Sequence, residues 1–352
     1  MRSQAYFVGI DLHKELIQVC VLDAQGEKVM EQRFPGGGLE QGRALVTKVL
    51  SQWKDGGRYA VEALGMNRWL VNAMREQKMD VVVVDAVKLN LRMLGKKTDR
   101  RDAYEIARRL WLGDIDRNAK TYYPDEDRYG CRKVLRTRHK LVQVRQQLTN
   151  QARGLLNAYR IEVPKGELSS KKNLEWLAHV ELSGNLLTEC LRSLGQALRS
   201  VQSSIEALSL RINEEASKKE VSSLYENLEG VGPQTALTLV HELGDVKRFT
   251  STRAVASYAG LAPRVANSAD KAHHGKITKR GNSELRWILS EWAVRLMATN
   301  SLAQRWAAPL LRRMHKNKVR IALARRLLIG VYFMLRHGVA FSLERCLATK
   351  AA

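Results

Sequence analysis

Residues 5–34, AYFVGIDLHKELIQVCVLDAQGEKVMEQRF, hold three β-rich apolar runs separated by polar breaks. The first run closes on Asp11, the second is LIQVCVLD (16–23), and the turn AQGEK leads into the third. Short runs of this kind, bounded by turn residues, predict a three-stranded meander. Further along, a helical pattern spans 39–53 and YAVEAL reads as a strand ending near Glu62. A helix is expected from about Asn67 to Gln77, and DVVVVDA reads as a buried strand. Strands interleaved with helices make this first segment a mixed α/β domain.

The pattern breaks at YYPDEDRYG (122–130), where Pro, Gly and a charge cluster mark a boundary. Three domains are expected: 1–121, an arm over 122–220, and a mostly α-helical 221–352. In the arm, Val134, Leu141, Leu148 and Leu155 recur every seven residues. After an interruption at VPKGELSSKKN, the residues Leu187, Leu191, Leu194, Leu198, Val201, Ile205, Leu208 and Ile212 alternate spacings of four and three, a coiled-coil seam. Such a seam needs a partner helix, which either the same chain or a second copy can supply. The stretch LEGVGPQTA then reads as a helix-hairpin-helix-like turn, whose outward amides suit a phosphate as well as a plain helical turn.

Lys and Arg outnumber Asp and Glu by 59 to 36, a net charge of +23. The excess is concentrated: residues 246–352 carry 21 basic and 4 acidic side chains, and 116–160 carry 11 and 4. A field of this size calls for a polyanionic partner, nucleic acid before any other. Cys20, Cys131, Cys190 and Cys346 have neither disulfide-framework nor zinc-ligand spacing and read as ordinary thiols. With no leader and no apolar run near the ~18 residues of a membrane span, the chain reads as a soluble protein of the cytoplasm. Trp287, Trp292 and Trp306 fall in helical patterns and are expected in the core.

Four carboxylates stand out. Asp11 closes the first strand, Glu62 closes the fourth, and Asp99 and Asp102 lie one turn apart in KTDRRDA (97–103). Each alone reads as a turn or helix cap. Together they would repel one another unless a divalent cation joined them, and hard oxygen donors favour Mg2+ or Mn2+. The order of meander, strand-ending Glu and helix-opening acids resembles the RNase H and RuvC-like nuclease fold. Lys96, Lys97, Arg100 and Arg101 beside the acids would hold a strand against a site that otherwise repels it.

A second constellation is SYAGLAPRVANSADKAHHGKITKRGNSELRWIL (257–289). It is expected to form a polar loop containing Ser268 and the basic residues Arg264, Lys271, Lys276, Lys279 and Arg280, followed by a helix starting near Asn282 or Ser283. On chemistry alone Ser268 reads as a phosphate-contacting or capping hydroxyl. The adjacent His273 and His274 read as phosphate contacts, with proton transfer as the alternative.

Taken in order, GID, VEALG, KTDRRDA, LEGVGPQTA, YAGLAPR and GKITKRGN resemble the transposases of the IS110 insertion-sequence family, particularly its IS1111 branch, over nearly the whole chain. The resemblance implies a RuvC-like domain with Asp11, Glu62, Asp99 and Asp102 as a DEDD carboxylate set, a coiled-coil arm, and a transposase domain with Ser268 as nucleophile. It implies RNA-guided exchange between donor and target DNA, directed by a structured noncoding bridge RNA. It also implies a phosphoserine intermediate and a homo-oligomer, dimer to tetramer, assembled through the coiled coils. Two other readings stay open on the residues: a metal-dependent structure-specific endonuclease with no covalent link, and a nucleic-acid-binding scaffold with a degenerate site.

Overall fold

Alternation in the first strand decides what it meets. Along β1 (Tyr6–Leu12), Val8, Ile10 and Leu12 point to one side of the sheet and Phe7, Gly9 and Asp11 to the other. The computed structural model describes residues 5–85, 88, 99–218, 221–222, 228–268, 271–277 and 280–348, in two units, 1–123 and 124–352.

In the first unit, β1 pairs antiparallel with β2 (Leu16–Asp23), and β2 pairs likewise with β3 (Lys28–Pro35), forming the expected meander. On its other edge β1 pairs in parallel with β4 (Gly57–Glu62), which is parallel to β5 (Asp80–Val84). A short β6 (Lys120–Thr121) closes the sheet in the order β3-β2-β1-β4-β5-β6. One face is covered by α1 (Leu39–Ala44), the turns after it and α2 (Arg68–Glu76), around Val8, Ile10, Tyr59, Leu70 and Met74. The pattern at 39–53 is not one α-helix. It passes from α1 into a π-helical turn at Leu45–Val49 and a 3-10 turn at Leu50–Trp53. Leu45 and Leu50, five apart, are both buried, and the wider π turn brings that spacing onto one face.

The other face is covered by α3 (Asp99–Trp111), whose Ala103, Ile106, Ala107 and Leu110 pack on Phe7, Cys20, Leu22 and Ala60. Gly9 sets how close α3 can come. A Cβ at Gly9 would lie 2.1 Å from the carbonyl oxygen of Ala103 and 2.4 Å from the amide nitrogen of Ala107. The helix therefore rests on strand backbone, and its first turn is carried to the end of β1.

In the second unit, α4 (Glu126–Ala158) and α6 (Asn185–Ala216) form a long antiparallel hairpin, with α5 (Lys171–Ala178) packed on α6. The sense is fixed by Arg138, which donates to Ser209 at 2.7 Å, and Arg145, which donates to Gln202 at 3.0 Å. Leu191, Leu198, Ile205 and Ile212 are buried within the chain. The leucine seam therefore has an in-chain partner in α4, the intramolecular of the two readings, and the spacing of its buried row is explained without a second copy. At the base of the hairpin, Leu135, Ile212 and Ala216 join one core with α7 (Pro233–Leu243), α8 (Thr252–Tyr258), α9 (Ser283–Thr299), α10 (Ser301–Leu311), α11 (Lys316–His337) and α12 (Leu343–Leu347). Trp292 is buried there, and Trp287 and Trp306 pack against it half-buried.

The stretch around Ser268 differs from the expected loop. It forms a two-stranded antiparallel hairpin, β7 (Pro263–Ser268) with β8 (Lys271–Ile277), so the C-terminal part is helical with one β insertion. In the Gly-Val-Gly-Pro turn, Gly232 precedes the first residue of α7, while residues 223–227 before the turn lie outside the described residues. Among the described residues no helix is long and apolar enough to cross a membrane.

Gly9→Ala is expected to lower the unfolding free energy of the protein by about 3 kcal/mol, since backbone on both sides blocks relaxation. Urea denaturation followed by circular dichroism measures it; an unchanged midpoint would show that α3 does not depend on this contact.

Candidate metal centre

The carboxyl ends of β1 and β4 lie side by side, because Ile10 and Val61 are the last registered pair and Asp11 and Glu62 follow them. The close approach of α3 adds Asp99 and Asp102 from its first turn. Asp11 is 1 % exposed and Asp102 8 %, while Glu62 is half-buried. The Nε2 of His13 lies 3.1 Å from Asp11 Oδ2 and 3.2 Å from Asp99 Oδ1, so one imidazole edge spans two carboxylates. Arg33 of β3 reaches the other oxygen of Asp99 at 3.4 Å.

Burial raises the Asp11 carboxyl from its ordinary 3.8 to about 6, with the charges of Glu62 and Asp102 adding to the rise and His13 opposing it. The mutual repulsion shows that Asp11, Glu62 and Asp102 sense one another. Donor atoms of Asp11, His13 and Asp99 all lie within 4.8 Å of one another. Carboxylate oxygens around a desolvated acid, with one imidazole, form a donor set that fits a divalent cation of the Mg2+ or Mn2+ type.

His13 was not singled out by sequence reasoning. The available signal was alternation: positions 7, 9, 11 and 13 share the α3 side of the first strand, so a ligand-type residue two after Asp11 joins the same face.

Of the basic residues beside the acids, Arg100 is exposed and its Nε lies 3.0 Å from Glu31 of β3, and Arg101 is exposed on α3. Lys96 and Lys97 lie outside the described residues. In the second unit, Ser268 ends β7, opposite Lys271 at the tip of the hairpin, and Arg264 and Lys276 belong to the same two strands. His273 and His274 stand in β8 opposite Ala266 and Val265. Arg280 is exposed, and Lys279 lies outside the described residues.

The base of that hairpin is anchored by a buried carboxylate. Glu242 of α7 receives a two-pronged contact from Arg136 at 2.8 and 2.9 Å and a hydrogen bond from Asn282 at 2.6 Å. Asn282 also caps α9 through its side-chain oxygen and donates its amide to the carbonyl of Tyr258. Gly281 before it has φ +128, and a Cβ there would lie 2.5 Å from that same carbonyl. The Gly-Asn pair of GKITKRGN is thus needed for backbone geometry.

With this arrangement in view, comparison with known families is decisive. Residues 8–161 match the DEDD transposase family of IS110 elements, and residues 222–307 match the transposase IS116/IS110/IS902 family. The chain belongs to the IS110/IS116/IS902 family of transposases. Its relatives include a probable family 20 transposase of Pseudomonas aeruginosa, 27% identical over 328 residues that cover 91% of this chain and 93% of the relative. The transposase for insertion sequence element IS1111A of Coxiella burnetii is 24% identical over 332 residues, covering 91% and 86%. The transposase for IS1328 of Yersinia enterocolitica is 28% identical over 221 residues, covering 62% and 66%. As a transposase the protein is an enzyme that cleaves and rejoins DNA, and the basic excess has its polyanion.

The raised Asp11 carboxyl gives the transposase a pH signature. A folded value of about 6 against 3.8 means that the folded state holds the proton more tightly. The stability from this group is complete below 3.8 and is lost as pH rises through about 6. In metal chelator, Asp11→Asn should therefore be more stable than the wild type at pH 8, by about 2–3 kcal/mol, and show little gain at pH 4. Urea unfolding at the two pH values tests this, and equal differences at both would contradict it.

Proposed function

We propose that this transposase exchanges strands between donor and target DNA through a covalent serine intermediate, with its carboxylate centre loaded with Mg2+ or Mn2+. The observation that carries this reading is the gathering of Asp11, Glu62, Asp99 and Asp102 at one end of a mixed sheet in the order β3-β2-β1-β4-β5, which supports a RuvC-like assignment for residues 1–121. In this division of labour, 122–220 is the arm and 221–352 carries the nucleophile.

Asp11, Glu62, Asp99 and Asp102, with His13 beside them, would hold the cation. A cation bound there supplies Lewis-acid polarisation of the scissile phosphate and offsets its charge. Ser268 Oγ attacks phosphorus, the bond from phosphorus to the 3′ oxygen breaks, the hydroxyl proton leaves to solvent, and the departing oxygen takes one up as a 3′ hydroxyl. That hydroxyl, on the exchanged strand, attacks the phosphoserine, restoring the phosphodiester and the serine with no net bond energy spent. Arg100, Arg101 and the basic hairpin strands neutralise phosphates near the acids and the serine. A structured guide RNA paired to both DNAs, as the IS110 resemblance implies, would carry sequence choice, leaving the protein to grip backbone. Assembly to a dimer or tetramer belongs to the same reading.

The test is strand exchange with purified protein, divalent metal and RNA from the flanks of the element, with protein trapped on DNA under denaturing conditions. Wild type is expected to give recombinants and a covalent adduct, and Ser268→Ala and Asp11→Ala to lose both, by at least about a thousandfold in rate. Cleavage that survives Ser268→Ala would favour the endonuclease reading; metal-independent binding with no cleavage would favour the scaffold.

His13 makes a separate prediction on metal choice. An imidazole ligand favours Mn2+ over Mg2+, so His13→Ala should weaken Mn2+ binding by about tenfold and leave Mg2+ binding nearly unchanged. Isothermal titration of each metal reads this without activity; equal losses for both metals would assign His13 to orienting the carboxylates.

A further inference from the structure

α11 carries two stripes. Val319, Leu323, Leu327 and Val331 are buried in the core. The neighbouring stripe, Ala322, Arg326, Ile329, Phe333 and His337, recurs at spacings of three and four and lines a separate cavity of about 990 Å³ against the segment 339–348. Gly330 lets that segment come close, since a Cβ there would lie 2.2 Å from Cys346 Sγ and 2.8 Å from the Phe341 ring. The wall is held by Arg326, which donates to the carbonyls of Cys346 and Ala348 at 2.8 and 3.1 Å.

The cavity is not closed. Phe333 is 45 % exposed and Val339 46 %. Phe333 and His337 stack with centroids 5.8 Å apart and 19° between planes, so the open side carries a pair of aromatic rings, with Phe333 partly exposed. Its rim carries Arg325 and Arg345. Residues 312–345 hold nine Lys and Arg and one acid, Glu344.

An apolar floor, an exposed aromatic ring and cationic lining residues suit a ligand that is flat, aromatic and anionic at its edge. DNA is the polyanion that this family acts on, and a paired base has no free face to offer, whereas an unpaired one stacks on an exposed ring while arginines meet its phosphates. We propose that this groove holds an unpaired base of the DNA being processed, stacked on Phe333, with Arg325 and Arg345 at the flanking phosphates. The inference uses the family's DNA substrate and is independent of the serine and the metal.

The experiment uses the full chain and measures fluorescence anisotropy with a single-stranded DNA, the same DNA as a blunt duplex, and an RNA of the same sequence, for wild type, Phe333→Ala and Phe333→Trp. Phe333→Ala should weaken single-stranded DNA by about tenfold and leave duplex affinity unchanged, and Phe333→Trp should keep or improve it. A 5-iodouracil-substituted strand should crosslink to the peptide containing Phe333. Equal losses for strand and duplex would overturn the proposal, as would no loss at all. A loss confined to RNA would overturn the choice of DNA. A change of oligomeric state in Phe333→Ala, by sedimentation and with strand affinity intact, would make the groove a self-association surface.

Discussion

The carboxylate centre depends on how near α3 can lie to β1. Gly9 supplies no side chain, Ala103 and Ala107 supply short ones, and backbone meets backbone where any larger residue would hold the helix off. Because side chains alternate along a strand, the residue two after Gly9 is on the same side. That residue is Asp11, and the first turn of α3 delivers Asp99 and Asp102 to it. Moving the helix outward by the width of a methyl group would separate acids that now sense one another at the sheet end. The chemistry of the site thus rests on a contact between residues that have no chemistry of their own.

Two buried carboxylates in this chain have opposite electrostatic settings. Glu242 accepts hydrogen bonds from Arg136 and Asn282 and pairs at 3.5 Å with Arg132, whose own N–H groups go to the carbonyls of His241 and Glu242, so its charge is compensated inside the protein. It fixes α4, α7 and α9 relative to one another and holds the foot of the hairpin that bears Ser268. Asp11 has His13 as a hydrogen-bond partner and the charges of Glu62 and Asp102 against it, so burial prevails and the carboxyl is pushed up to about 6. A buried acid left in that state is stabilised by anything cationic that binds it. Burial alone does not set the state of a carboxyl group; the balance of partners does.

Most of the first unit could be read from the chain because its strands are buried on both sides of one sheet. LIQVCVLD and DVVVVDA announce themselves by composition, and the three strand and helix ends that carry acids follow from where those runs stop. His13 is hard to read from the sequence because it lies one residue past β1, beyond the strand end that the aspartate marks. The break of the 39–53 pattern into π and 3-10 turns was missed because a spacing of five between Leu45 and Leu50 is hidden within an otherwise helical period. The hairpin at 263–277 reads as a loop because its strands contain few β-branched residues, Val265 and Ile277 alone, and are defined by backbone pairing that composition does not record.

The leucine seam shows where a sequence pattern stops being informative. Its heptad row at Leu191, Leu198, Ile205 and Ile212 is buried against the same chain, while Leu187, Leu194, Val201 and Leu208 stay half-buried. The row on α4, Val134, Leu141, Leu148 and Leu155, is half-buried as well. A two-helix hairpin can bury one row completely and must leave the flanking rows at its edges, since two cylinders share only a narrow line of contact. The heptad periodicity is therefore satisfied inside the chain, and it carries no information about a second copy. Any helix added from outside has to dock on the half-buried rows, where the remaining apolar area lies, and not on the buried row.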